Sequence, residues 1–184
     1  YTTISGTRTT ASVHLRSQNE PEPVKFALPI SSPDKVTPSW GRYVAGVAAE
    51  MQNRAQGFDG EISCTIPIGA GLSSSAALEV ATALALNDMS APIERAKLCQ
   101  RAEFRSVGVP CGIMDQLTVT SGIRDHALLI DCHALTISPV QLPNDVKVVV
   151  QFIAERKLAS SSYTERVAQC NAAEHIVGPL RLAN

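Results

Sequence analysis

Three features are missing from this sequence of 184 residues, and each absence narrows the possible functions. No run of apolar residues approaches the roughly 18 that a membrane-spanning helix needs, and no signal-peptide pattern is present. A strong excess of one charge is also missing, because 16 Lys and Arg residues nearly balance 17 Asp and Glu residues. We therefore expect no membrane partner, and no nucleic acid held by a broad basic surface.

Paired cysteines are missing as well. The five cysteines are scattered and odd in number, and none of them forms a Cys-x-x-Cys pair. This pattern argues against a disulfide framework and against a zinc site. Reduced thiols in a cytoplasmic protein are the better interpretation.

What the sequence does contain is enough apolar residues, 45% of the total, to build an ordinary buried core. Strand patterns come first, helical patterns fill the middle and strand patterns return, an order that predicts an α+β fold rather than regular alternation. We expect two strands joined by a polar loop within residues 2–28, and a helix capped by Ser39 and ended near Gly57. The further expected elements are a strand over 60–66, helices over 75–87 and 90–107, a short helical or extended piece over 113–120, paired strands over 127–132 and 135–142, a buried strand over 146–153, and a helix over 160–177.

The most informative stretch is residues 67–77, with the sequence PIGAGLSSSAA. Its two glycines let the backbone approach a ligand closely, and a helix that starts just beyond aims free N–H groups and a positive dipole end at the loop. This arrangement favours phosphate. The loop has no lysine, unlike the common P-loop, so the positive charge that balances phosphate must come from elsewhere. A serine hydroxyl with a carboxylate could hold Mg²⁺ there.

Two carboxylates are candidates for that chemistry. Glu103 lies late in the helix over 90–107, and Asp115 follows the break at residues 108–112 among apolar neighbours. Such surroundings can hold an acid for base catalysis or beside a cation. Taken alone, Glu103 is more often a solvated helix residue, and Asp115 is equally well a helix cap. Tyr163 taken alone is a core or interface aromatic.

The glycine-rich stretch resembles the second signature of the GHMP small-molecule kinases, a superfamily that includes galactokinases, homoserine kinases and mevalonate kinases. Within it, residues 109–116 (VPCGIMDQ) resemble the galactokinases, as do residues 39–44 (SWGRYV) and 157–163 (KLASSSY), in the same order. Four matched stretches in register over roughly residues 39–175 make the resemblance specific. It implies the ribosomal protein S5 domain 2-like fold, a mixed sheet with packed helices. Residues 1–145 would form most of the ATP-binding domain, and 146–184 the opening strand and helix of a second α+β domain.

The resemblance also implies roles for individual residues, with ATP, Mg²⁺ and galactose or a related monosaccharide as partners. The loop would wrap the ATP phosphates and Trp40 would lie near the adenine. Ser75 and Glu103 would hold Mg²⁺, and Asp115 would act on the sugar C1 hydroxyl as base or aligner. Gly112 and Tyr163 would contact the sugar. The loop residues concerned are Gly69, Ala70, Gly71, Leu72, Ser73, Ser74 and Ser75.

The chain also departs from the galactokinase pattern. Nothing in residues 1–28 matches the N-terminal signature, which supplies an arginine beside the catalytic aspartate and a segment that grips sugar hydroxyls. The C-terminal glycine-rich signature is absent, and Thr164, Arg166 and Val167 replace an asparagine and paired arginines. We therefore expect the middle part of a two-domain kinase, inactive as an isolated piece. The alternatives are a sensor that binds galactose and ATP without catalysis, and a GHMP kinase for another monosaccharide.

Overall fold

The computed structural model describes residues 1–154 and 163–180. A four-stranded mixed sheet forms one layer, with strand order β1-β4-β2-β3. β1 pairs antiparallel with β4, β4 parallel with β2, and β2 antiparallel with β3. The strands are β1 (Thr2–Thr9), β2 (Ser12–Ser17), β3 (Val24–Ala27) and β4 (Gly57–Cys64).

Helices cover one face of this sheet, and a two-stranded antiparallel sheet follows them in the chain. Along β2 the buried residues Val13 and Leu15 alternate with less buried ones, and they pack against apolar residues of the helices that follow. These elements are α1 (Gly41–Met51), α2 (Ser74–Ala85), α3 (Pro92–Val107), α4 (Met114–Ser121), β5 (His126–Asp131), β6 (Thr136–Gln141) and α5 (Tyr163–Val177). None of the helices in the described part of the chain is both long and apolar enough to cross a membrane.

The order and types of the elements are largely as the sequence predicts, but several predicted ends are wrong. Ser39 does not cap α1, because the first amides of that helix, Gly41 and Arg42, already donate to the carbonyls of Pro38 and Ser39. α1 ends at Met51, well before Gly57, which instead begins β4. The opening region holds three strands rather than two.

The strand predicted over residues 146–153 does not form. The run is rich in β-branched residues, but a strand also needs a neighbouring strand to satisfy its backbone groups. Within residues 1–154 and 163–180 no strand pairs with it, and Val148, Val149 and Ile153 are exposed. The helix predicted over 160–177 is present as α5, whereas its predicted start at 160–162 and the matched residues 157–162 lie outside the described residues. The proposed division at residue 145 stays a prediction.

Candidate active site

A cavity of about 800 Å³ opens between the glycine-rich loop, α1 and the loop that joins α3 to α4. It brings together nearly all the residues that the sequence singles out. The predicted residues that line it are Trp40, Gly69, Gly71, Leu72, Ser73, Ser74, Ser75, Glu103, Gly112, Asp115 and Tyr163. Ala70 is the exception, since it lies on the other side of the loop in a cavity of about 290 Å³ that residues 150–154 also line.

The glycine-rich loop owes its shape to three residues with positive φ. Gly69 has φ +75° and Gly71 has φ +72°, values that suit glycine. Ser73, the residue just before α2, has φ +57°, which is uncommon for a residue with a side chain. Its side chain makes no capping hydrogen bond, and the first bond of the helix runs from Ala77 N–H to the Ser73 carbonyl. The N–H groups that precede Ala77 therefore have no acceptor within the helix. They lie at the end of α2 that lines the cavity, which is the arrangement that an anion site requires.

Behind the loop, three helices meet at a buried cluster of polar side chains that we name the carboxyl junction: Glu79 of α2, Glu103 of α3 and Gln116 of α4. Gln116 Nε2 donates to Glu103 Oε2 at 2.8 Å and to Glu79 Oε2 at 3.3 Å. Glu79 and Gln116 are fully buried and Glu103 is 3% exposed. Glu103 Oε2 also accepts a hydrogen bond from Cys111 Sγ at 2.9 Å. The junction thus connects α2, which follows the glycine-rich loop, to α4, which carries Asp115.

Burial and neighbouring negative charge raise the pKa of the ionisable groups around Glu103. Burial, reinforced by the charge of Glu103, raises the pKa of Glu79 well above its usual value. The same two causes, in the same order, raise the pKa of Tyr43 to about 12. Burial and the hydrogen bond to Glu103 also raise the pKa of the Cys111 thiol. Cys111 is therefore a hydrogen-bond donor to the carboxylate rather than a thiolate nucleophile.

The residues present fit Mg²⁺ better than a transition metal. Ser75 and Glu103 line the same cavity and offer only oxygen ligands, which hard cations prefer. The described ranges contain no cluster of three or more His, Cys, Asp or Glu side chains that could hold a metal. A cation here would therefore rely on phosphate oxygens and water for its other ligands, which is how Mg²⁺ is usually bound with nucleotides.

Asp115 also lines the cavity, in the first turn of α4, and is partly buried. Within the described residues no Lys, Arg or His nitrogen forms an ion pair with it. Nearby, the Gly112 backbone N–H donates to Tyr163 Oη at 3.3 Å, so two of the residues for which the family resemblance implies a sugar contact touch each other. That contact holds the start of α5 against the cavity.

Sequence reasoning gave no role at this site to five residues: Arg42, Tyr43, Glu79, Cys111 and Gln116. Arg42 is the one cationic side chain among the described cavity residues, and its Nε donates to the Val36 carbonyl at 3.1 Å. For the junction a signal was available, because Glu79 is the lone charge in a mostly apolar helix. A buried carboxylate needs partners, and those partners lie far away in the sequence.

Known proteins resemble the chain over this whole region. The sequence profile of the family described as GHMP kinases N terminal domain matches residues 42–122. The chain is 41% identical over 169 residues to galactokinase from Bos taurus, which covers 87% of this chain and 43% of that protein. It is 48% identical over 144 residues to galactokinase from Roseiflexus sp. (strain RS-1), covering 73% of this chain and 37% of that protein. The chain thus spans less than half the length of these curated relatives.

Solved structures show the same relationship. The crystal structure of Lactococcus lactis galactokinase complexed with galactose superposes with a TM-score of 0.74 at 26% identity, covering 94% of this chain and 47% of that one. Methanococcus jannaschii mevalonate kinase shares the fold alone, with a TM-score of 0.51 at 23% identity over 65% of this chain. These similarities confirm the α+β fold with a mixed sheet and packed helices that the sequence predicts.

Proposed function

Since the chain carries a GHMP kinase N-terminal domain of galactokinase type, we propose that the protein transfers the γ-phosphoryl group of ATP to the C1 hydroxyl of galactose. One observation carries the proposal. A single cavity is lined by the first residues of α2 and by Glu103 and Asp115. Phosphoryl transfer requires these parts together, because its catalysis consists mainly of positioning and of stabilising charge.

ATP would lie along the glycine-rich loop, with its phosphates against the loop backbone and the first amides of α2. Ser73, Ser74 and Ser75 would donate hydroxyl hydrogen bonds to phosphate oxygens. Trp40 would lie near the adenine, and its indole Nε1 already donates to the Glu22 carbonyl at 3.1 Å, which fixes the ring at the cavity wall. Arg42 supplies positive charge on the same wall, as a loop without lysine requires.

Mg²⁺ would be held by Ser75 and Glu103 together with phosphate oxygens. The ion would neutralise charge that develops on the transferring phosphoryl group. The chain's own contribution is to hold the Glu103 carboxylate in place, since Cys111 and Gln116 both donate to its Oε2. That arrangement leaves the other carboxylate oxygen for the cation.

The sugar would bind on the Asp115 side of the cavity, against Gly112 and Tyr163. Asp115 would accept the proton of the C1 hydroxyl or align that hydroxyl for attack on the γ-phosphorus. We also place the protein in the cytoplasm, since all five cysteines are free thiols and the proposed reaction consumes ATP.

The Asp115→Asn variant of the full-length protein tests the proposal. We expect galactose-dependent ADP formation to fall by roughly 10²–10⁴-fold, because a general base contributes about that much. Galactose binding, measured by calorimetry, should change only a few-fold. If the wild-type protein and the Asp115→Asn variant both bind galactose but show the same near-zero turnover, the result would instead support the non-catalytic sensor. Turnover with another monosaccharide and none with galactose would support a different acceptor.

Two glycines with the same backbone conformation provide a matched test of the loop. Gly71 and Gly108 both have φ +72°, and nothing lies within 4 Å of a Cβ built on either. An alanine at either position should cost roughly 1–2 kcal/mol of stability, because the left-handed conformation is strained. Only Gly71→Ala should also weaken binding of ATP, since Gly71 lines the cavity whereas Gly108 ends α3 and is not one of the residues that line it. Equal loss of nucleotide binding in the two variants would argue against the loop as the phosphate site.

A further inference from the structure

The Gln116 side chain occupies an unusual position, between two buried carboxyl groups that belong to two other helices. Its amide nitrogen donates to both of them, at 2.8 Å to Glu103 and at 3.3 Å to Glu79. The described surroundings supply neither carboxyl group with a cationic partner. Glu79 Oε1 and Gln116 Oε1 are buried without any hydrogen-bond partner among the described residues. A core that needed only stability would be better served by apolar side chains at these positions.

The three helices that meet at Gln116 are the three that carry the proposed chemistry. α2 begins at the phosphate loop, α3 carries Glu103, and α4 carries Asp115 one residue before Gln116. A displacement of one helix along another would separate the phosphate site from the acceptor site. Displacements of about 1 Å are enough to slow positioned reactions by about 10²-fold.

The two donors to Glu103 also orient its carboxylate. Cys111 Sγ and Gln116 Nε2 both reach the same atom, Oε2, so rotation of the carboxylate would cost both hydrogen bonds. Glu79 Oε1 is buried and has no hydrogen-bond partner among the described residues, whereas Glu103 Oε1 is not buried in this way. Since Glu103 lines the cavity, Oε1 is the oxygen available to a ligand there.

We propose that Gln116 is a positioning residue: its amide locks α2, α3 and α4 together and presents Glu103 Oε1 to the metal–nucleotide complex in the cavity. The amide itself touches neither substrate nor metal. The metal part of this inference rests on the proposed kinase function. The locking of the helices stands on the structure alone, and the two parts are tested separately.

The locking is tested by thermal unfolding of the full-length protein, without any assay of activity. Gln116→Leu and Glu103→Leu should each lower the Tm by roughly 5–10 °C, because each leaves a buried polar group unpaired. The double variant should lose clearly less than the sum of the two, since the residues share one interaction. As a matched control, Gln116→Leu combined with Arg95→Met should be additive, because Arg95 pairs with Asp88 away from the junction. Additive losses for Gln116 and Glu103 would overturn the locking.

The metal part is tested by binding of a non-hydrolysable ATP analogue, with and without Mg²⁺. In the Gln116→Leu protein, the tightening of analogue binding by Mg²⁺ should fall by about tenfold or more, as for other residues that orient a metal ligand. Analogue binding in excess chelator and the KM for galactose should stay within about twofold. If Gln116→Leu does not fold, Gln116→Met keeps an unbranched side chain without the amide and is used instead.

The outcomes separate this inference from the proposed function. A wild-type protein that binds the analogue but phosphorylates no sugar would refute the kinase function, while the two tests above would still decide the role of Gln116. Non-additive unfolding with an unchanged Mg²⁺ effect would show that the amide is only structural, and would overturn the positioning role. An unchanged kcat in Gln116→Leu would overturn it as well.

Discussion

Two clusters of acidic side chains in this molecule use the same residue types in opposite ways. On the open face of the sheet, His14, Arg16, Asp59 and Glu61 form a network that we call the sheet-face cluster. Asp59 meets His14 at 3.0 Å and Arg16 at 3.1 Å, and Arg16 also reaches Glu61 at 3.6 Å. At the carboxyl junction, Glu79 and Glu103 meet only neutral donors.

The difference is the one expected between an ordinary surface and the ligand site that we propose. In the sheet-face cluster each carboxylate is exposed to solvent and pairs with a basic side chain. Burial therefore costs little free energy there, and each ion pair adds little stability. At the junction Glu79 and Glu103 are buried with no cationic partner among the described residues, so a negative charge there is costly unless a ligand brings a countercharge. A cation held at Glu103 would supply that charge. We infer that a buried carboxyl group without a cationic partner among the described residues indicates function better than a paired carboxylate on the surface does.

The largest expected effect is that of Glu103→Gln in the full-length protein. The amide cannot replace a charged ligand of Mg²⁺, so we expect ATP-dependent sugar phosphorylation to fall by about 100-fold or more. The measurement is ADP release at saturating galactose over a range of Mg²⁺ concentrations.

The matched control is Glu61→Gln in the sheet-face cluster. This substitution removes the same charge from the same residue type on an exposed strand position. We expect turnover and its dependence on Mg²⁺ to stay within about twofold of the wild type, since an exposed pair contributes little. Similar losses in the two variants would erase the distinction between the clusters.

A smaller effect is expected from Glu79→Gln, and it should depend on pH. Because the pKa of Glu79 is raised in the folded protein, its contribution to stability is complete below its unfolded pKa of about 4.5 and is lost as pH rises through the folded pKa. The glutamine has no proton to lose. The unfolding free energy of the variant should therefore gain on the wild type by up to about 1.4 kcal/mol per pH unit above 4.5. Parallel Tm-versus-pH curves for the two proteins would contradict the raised pKa.

The smallest effect is expected from Asp59→Asn on the sheet face. Hydrogen bonds from His14 and then Arg16 lower the pKa of Asp59, so its contribution is present above the unfolded pKa and is lost as pH falls through the folded one. At neutral pH the Tm should drop by no more than about 2 °C, and by less in high salt. A larger drop that persists in salt would mean that this cluster, too, stabilises the fold strongly.

Much of the site could be predicted from the sequence, because its parts are local. The glycines and serines of residues 69–75 stand together in the chain, and Gly112 and Asp115 lie in one short stretch. Local chemistry also fixes the order of the elements. The expectation that these pieces share one place required the family resemblance, and the common cavity agrees with it.

What the sequence could not show depends on distant contacts. Glu79 and Gln116 are 37 residues apart, and no local pattern pairs them. Ser39 looks like a helix cap, but backbone carbonyls already satisfy the first amides of α1. Residues 146–153 have the propensity of a strand, but pairing decides whether a strand forms, and propensity does not record pairing.

The position of β4 has a consequence for how the chain folds. β4 separates β1 from β2 in the sheet, and residues as far apart as Thr2 and Cys64 are paired in it. β1 and β2 therefore have no shared neighbour until residues 57–64 form β4. Both strands come before α1 in the chain, whereas β4 comes after it. Closing so long a loop is entropically costly and slows folding. During synthesis, β1 and β2 must wait for α1 and β4 to emerge before the sheet can form.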